Sequence, residues 1–282
     1  MTRTFLIFQI VLLTSYCLTT DALADEQLEY KTLTNVAYRS KLRESSYTAR
    51  RCQLDIYFPT NAKTFATIVW FHGGGLTSGN RSIPDALKNK RLAIVAVGYR
   101  LSPKVKVATI LDDAAASVAW TFNNIEKYGG ARSLIFIAGH SAGGYITSML
   151  GLNDKLLKAH NIDSNSLAGL IPYSGHAITH FTARAERGIG NTQPIIDEFA
   201  PLFHVKKNCP PMLLVTGDRN LELLGRYEEN AYFWRMMRVV GNTTTTLEEI
   251  KGHNHGQMVS SAHPLLIEFI ERRTSLIQRT LE

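Results

Sequence analysis

Ile135-Phe136-Ile137-Ala138-Gly139-His140-Ser141-Ala142-Gly143-Gly144-Tyr145 is the stretch whose reading decides the fold. A short apolar run ends at Gly-His-Ser-Ala-Gly, and a helical pattern follows. Gly-x-Ser-x-Gly between a strand and a helix makes a tight turn that thrusts the serine hydroxyl above the sheet edge. Glycines belong there because the turn is strained and side chains would collide with neighbouring backbone. Chance alone, with glycine and serine near 7% each, gives such a pentapeptide in roughly one chain of this length in ten. Alone, it is a weak signal.

A second stretch about seventy residues upstream strengthens it: Ile68-Val69-Trp70-Phe71-His72-Gly73-Gly74-Gly75. This too is an apolar strand ending in a special turn. His-Gly-Gly-Gly loops supply backbone N–H groups to an oxyanion hole in lipases and esterases. That tetrapeptide arises by chance in on the order of a few chains in a thousand. Both motifs follow strands, stand in the expected order, and are followed by acid and histidine candidates.

The chain therefore resembles the α/β-hydrolase superfamily, specifically the bacterial carboxylesterases similar to hormone-sensitive lipase. The resemblance covers nearly everything after residue 24. It includes Val97-Gly98-Tyr99-Arg100-Leu101-Ser102-Pro103, Asp112-Asp113-Ala114-Ala115-Ala116 and the Tyr128-Gly129-Gly130 turn. It implies an α/β fold with a mostly parallel central sheet flanked by helices, and a small cap insertion at about 175–208. These are family-level marks and do not fix a substrate.

Residues 1–24 read as a signal peptide, with Arg3, an apolar core from Phe5 to Leu13, and Ala22-Leu23-Ala24 as a cleavage site. The core is too short to span a bilayer comfortably, so no stable membrane insertion is expected after cleavage. A retained anchor and lipidation at Cys17 are the alternatives, although Tyr16 is larger than the residue such signals prefer. Residues 25–282 read as one hydrolase domain that is secreted or periplasmic. Its two cysteines, Cys52 and Cys209, invite a disulfide in an exported chain. The family's strand order, however, implies opposite sides of the sheet and free thiols, since bonded Cα atoms lie within about 7 Å.

The formal charge is +7, and the leader's Arg3 and Asp21 cancel. No block of five like charges exists, and Arg50-Arg51 and Lys206-Lys207 read as solvated pairs, so no nucleic-acid partner is expected. Asn80-Arg81-Ser82 and Asn242-Thr243-Thr244 fit the glycosylation pattern. Oligomeric state is not legible.

Along the chain, Tyr30–Arg39 and Cys52–Phe58 alternate as half-exposed strands. Thr67–Phe71 and Leu92–Val97 are continuous apolar runs, as in strands covered on both faces, with a short helix over Ser82–Asn89 between them. Ile110, Ala114, Val118 and Phe122 place a helix over Lys106–Tyr128. Then come a strand over Ser133–Ala138, a helix over Gly143–Leu157 and a strand over Ala168–Tyr173. After an irregular stretch, Pro211–Thr216 and Thr243–Ile250 read as strands, Tyr227–Val240 and His263–Thr280 as helices. Alternating strand and helix predicts a mostly parallel sheet.

An alcohol is a poor nucleophile at neutral pH, so Ser141 must pass its proton to a base as it attacks. The resemblance implies a histidine just past the last strand and before a glycine, which selects His255 over His253. His72 is expected to fix the glycine loop by hydrogen bonding. The family's acid stands three residues after the glycine ending the seventh strand, where this chain has Asn220. Asp218 is placed first as the substitute, Glu222 second for its longer reach, and Asn220 alone third; the bland role for Asp218 is capping a turn. Backbone N–H groups of Gly73, Gly74 and Ala142 match the family's oxyanion donors. His176 and His180 are pocket-lining candidates for substrate binding, with packing or backbone binding as the rival role. No cluster has metal spacing, and hydrolysis by this route needs no cofactor.

The implied function is a serine esterase acting through an acyl-enzyme on small-molecule or polysaccharide-linked esters, with acetyl or feruloyl groups as examples. A peptidase or amidase of the same fold is the nearest alternative. A non-catalytic binding module that kept the fold is the alternative from another class, and Asn220 is the feature that favours it.

Overall fold

The computed structural model describes residues 27–39 and 46–281. The leader expected at residues 1–24, with Cys17, lies outside the described residues. Among the described residues no helix is long and apolar enough to cross a membrane.

Eight strands form one sheet: β1 (Tyr30–Ala37), β2 (Gln53–Pro59), β3 (Phe65–Phe71), β4 (Ala93–Val97), β5 (Gly130–His140), β6 (Gly169–Tyr173), β7 (Met212–Gly217) and β8 (Thr245–Ile250). Their spatial order is β1-β2-β4-β3-β5-β6-β7-β8. β1 and β2 pair antiparallel, as does β2 with β4, and every pairing from β4 onward is parallel. The half-exposed pattern of β1 suits its place on the edge.

The helices are α1 (Ser46–Arg51), α2 (Val107–Asn124), α3 (Ala142–Leu152), α4 (Asp154–Lys158), α5 (Phe181–Ala185), α6 (Arg226–Val239) and α7 (Met258–Leu281). They cover both faces, which is why β3 and β4 are apolar at nearly every position. Successive side chains alternate between the two layers. Val69, Phe71, Val95 and Ile137 pack with Ile110, Val118 and Tyr145 on the face of α2 and α3. Ile68, Trp70, Ile94 and Phe136 pack with Ala262, Leu266 and Phe269 of α7 on the other.

Three expected elements differ in detail. The helix over Ser82–Asn89 is a single 3-10 turn at Asp85–Leu87. The one over Gly143–Leu157 breaks at Asn153, whose side chain accepts from Lys155 N–H and caps α4, as asparagine does well. The last helix begins at Met258, five residues before the expected start at His263, with Pro264 inside it.

Cys52 and Cys209 are free thiols. Cys52 precedes the second strand in the spatial order and Cys209 the seventh, a separation of roughly 24 Å at strand spacing. Asn80 is exposed. Asn242, by contrast, is buried with its amide bonded to Lys207, Thr244 and Thr245, which leaves no room for a glycan.

Candidate active site

The parallel strands point one way, so the loops after β3, β5, β6, β7 and β8 emerge along one sheet edge in spatial order. The chain runs from β3 outward to β4 and returns by α2 to β5 on the other side of β3, so strand order reverses at β3 and β5. Crevices form at the carboxyl ends of strands at such a reversal. Every residue singled out above for chemistry lies on these loops.

Ser141 joins β5 to α3 with φ 57° and ψ −114°, a conformation disfavoured for a residue with a Cβ. The bend is held by Ser141 N–H donating to Tyr173 O at 2.8 Å, and Tyr145 N–H donating to Ser141 O at 3.0 Å. A Cβ on Gly143 would stand 2.0 Å from Phe71 O, so only glycine lets the start of α3 approach β3 this closely. Ser141 is half-buried, and its hydroxyl has no hydrogen-bond partner among the described residues.

The glycine loop after β3 lies against that bend. A Cβ on Gly73 would sit 3.3 Å from Ser141 Cβ. Gly74 has φ +106°, and its carbonyl accepts from Thr77 and Ser78 N–H at 3.1 and 3.0 Å. These bonds turn the loop back while the N–H groups of Gly73, Gly74 and Ala142 make no hydrogen bond among the described residues. His72 does hold the loop: Nδ1–H donates to Gly73 O at 2.7 Å, and the ring stacks on Tyr99 at 4.2 Å. Burial pushes its pKa down to about 4, against the hydrogen bond to Gly73, so it is neutral.

His255 comes off β8. Its Nδ1 faces Glu222 Oε2 at 2.9 Å and Ser174 Oγ at 3.1 Å, leaving Nε2 as the free nitrogen. Its carbonyl accepts from Nε2–H of His140 at 2.9 Å, and the two rings lie 4.6 Å apart. His140 is kept neutral by burial and by the adjacent His255, with its pKa pushed down to about 4. The backbone of His255 is thus tied to the residue directly before Ser141. His253 turns away, its Nδ1 donating to Lys251 O at 3.0 Å and its Nε2 facing Ser261 Oγ at 3.3 Å.

The carboxylate on His255 is Glu222, which corrects the ranking of Asp218 first. Asp218 Oδ1 accepts from Asn220 N–H and Oδ2 from Gly252 N–H, both at 2.8 Å, so its carboxylate is spent on closing a turn. Asn220 is exposed. Glu222, whose side chain is 1% exposed, accepts from Gly217 N–H at 2.9 Å and Leu223 N–H at 3.0 Å, and from the Ser174 hydroxyl. Burial alone would raise its pKa. The hydrogen bonds from His255, Ser174 and Gly217 outweigh that and bring it down to about 2.

His176 and His180, expected to line the pocket, have other work. His176 is 7% exposed, with Nδ1–H donating to Glu229 at 3.0 Å and Nε2 accepting from Arg226 at 2.8 Å. His180 is 1% exposed; its Nδ1 accepts from Thr182 N–H at 3.1 Å and caps α5. Ser174 and His140, by contrast, touch the imidazole and escape a reading by motif. Ser174 follows a strand end and precedes a glycine, the only hint in sequence; nothing local marks His140. Among the described residues no group of three metal-ligating side chains converges.

A family model described as BD-FAE matches residues 54–183, from β2 into α5. Esterase LipC of Mycobacterium tuberculosis is 25% identical over 217 residues, which are 69% of this chain and 53% of that protein. A probable isoprenylcysteine alpha-carbonyl methylesterase of Oryza sativa is 28% identical over 176 residues, covering 55% of this chain and 41% of its own. The chain thus spans about half the length of these curated relatives. Among solved structures, a truncated carbohydrate esterase from gut microbiota superposes with TM-score 0.73 at 18% identity, over 89% of this chain and 99% of that one.

Proposed function

We propose, from the likeness of this chain to α/β-hydrolase carboxylesterases, that it hydrolyses carboxylic esters through an acyl-enzyme on Ser141. The observation that carries this is the His255–Glu222 pair at 2.9 Å, its imidazole 4.6 Å from the ring of His140, the residue directly before the serine on the strained bend.

Ser141 Oγ attacks the ester carbonyl carbon while its proton passes to Nε2 of His255. Glu222 holds the Nδ1–H and stabilises the imidazolium that forms. The carbonyl oxygen, now negative, meets the N–H groups of Gly73, Gly74 and Ala142, which the fold leaves unbonded and fixed in place. Collapse expels the alcohol, which takes the proton from Nε2. Water then repeats the sequence: it loses a proton to His255, attacks the acyl carbon, and releases the acid and the Ser141 hydroxyl.

With Glu222 on His255, the feature that favoured a non-catalytic module loses its force. The finer reading is an exported enzyme that removes small acyl groups, acetyl or feruloyl, from polysaccharide. The leader-like residues 1–24 and the carbohydrate esterase sharing the fold support it. A panel of p-nitrophenyl esters of rising chain length, run beside acetylated xylan, tests both levels. Cleavage of short esters and release of acetate from xylan are expected. Short-ester cleavage without acetate release would remove the polysaccharide, and no cleavage at all would remove the esterase.

A further inference from the structure

The start of α6 grips the backbone after β6 with three side chains from one helical face. Arg226, Glu229 and Asn230 stand at i, i+3 and i+4, which brings them to the same side. Arg226 donates from Nη1 to the carbonyl of Ser174 and from Nη2 to Nε2 of His176 at 2.8 Å. Glu229 accepts from Nδ1–H of His176 at 3.0 Å and from Ala177 N–H at 2.9 Å. Asn230 Nδ2 donates to Gly175 O at 2.9 Å.

This cluster is a costly way to cover a sheet. Arg226 is 4% exposed, and its Nε is buried with no partner among the described residues. Apolar residues of similar volume do as well or better where stability is the only requirement. What the cluster holds is the left-handed backbone of Ser174, at φ 46°, which a residue with a Cβ keeps only when its surroundings enforce it. Ser174 N–H donates to Val215 O at 2.7 Å, and its carbonyl is taken by Arg226. With both ends fixed, its hydroxyl donates to Glu222 Oε1 while its oxygen faces His255 Nδ1 at 3.1 Å. Glu222 lies only four residues before Arg226, so one short run of chain carries both the carboxylate and the clamp.

We propose that Arg226 is a positioning residue of this site: by clamping the Ser174 carbonyl it aims the Ser174 hydroxyl that ties Glu222 to His255. The inference rests on the serine-hydrolase reading above. The Arg226 guanidinium bonds Ser174 and His176 rather than Ser141 or His255, and acts through Ser174.

The test is a cycle of Ser174→Ala, Arg226→Lys and the double variant. Each is read by kcat and KM on p-nitrophenyl acetate and by the rate of fluorophosphonate labelling. A hydrogen bond to a charged group corresponds to roughly a tenfold effect. Each single variant should therefore lose about that much in kcat and labelling rate with KM unchanged, and the double should lose no more than the worse single. Should Arg226→Lys not fold, Glu229→Gln, which loosens the same helical face, takes its place in the cycle. Losses that multiply, a change confined to KM, or a Ser174→Ala variant as fast as its parent would overturn the proposal. A parent protein that neither labels nor cleaves ester would instead overturn the hydrolase reading.

Discussion

Ser141, His255 and Glu222 are the residues on which rate should depend, and their neighbours supply the contrast. Glu222→Gln keeps the shape and loses the charge that stabilises the imidazolium. The corresponding acid-to-amide change in a serine protease costs about 10⁴ in kcat, and a loss of roughly 10²- to 10⁴-fold is expected here. Asp218→Asn should change kcat less than about threefold, because Asp218 only closes a turn. Steady-state kinetics of the two variants decides between them. pH gives an independent check. Glu222 has a folded pKa lowered to about 2 from 4.5, so its contribution to stability is present above about pH 4.5 and lost as pH falls toward 2. The gap in Tm between the parent and Glu222→Gln should be widest near neutrality and shrink through that window; a gap that is constant with pH would contradict the pairing. Ser141 and His255 were legible as candidates because each sits in a short motif whose spacing is set by a single turn. The carboxylate that faces His255 was not. Its position depends on the path of the loop after β7, which an offset counted from Gly217 does not report, and Glu222 reaches from two residues further on.

The elements that position these residues are held by backbone approaches that tolerate no side chain. Gly143→Ala would put a Cβ 2.0 Å from Phe71 O, with no flexible group to give way. Overpacking of this kind costs about 1–3 kcal/mol and occasionally more, and the variant should show a clear fall in Tm by calorimetry together with a lower kcat. In the glycine loop, Gly74→Ala adds a Cβ where φ is +106° and Ser78 O stands 2.4 Å away. Its effect should fall on kcat, by the roughly 10²–10³ that loss of one oxyanion donor costs, with a smaller change in Tm because that loop is exposed. The glycine motifs made both loops readable from sequence. The grip of α6 on residues 174–178 was not readable, because it joins groups some fifty positions apart through contacts that no local pattern encodes.

On the scale of the whole molecule, the sheet separates what stabilises from what reacts. Phe269 of α7 packs edge-on against Phe136 at 6.4 Å, beneath the face opposite α2 and α3. Phe269→Ala should destabilise the protein by about 3–5 kcal/mol yet leave kcat/KM at 25 °C within a factor of about two, measured by calorimetry and ester cleavage. The layered arrangement was legible because apolar strand-length runs alternating with helical patterns admit few architectures. The order of loops along that edge follows from it: the glycine loop, Ser141, Ser174, Glu222 and His255 leave adjacent strands in sequence. The account as a whole is tested most directly by treating the intact protein with a fluorophosphonate and locating the adduct by mass spectrometry. It predicts one adduct, on Ser141, formed far more slowly when His255 is replaced by Ala. An unlabelled protein, or labelling indifferent to His255, would contradict it.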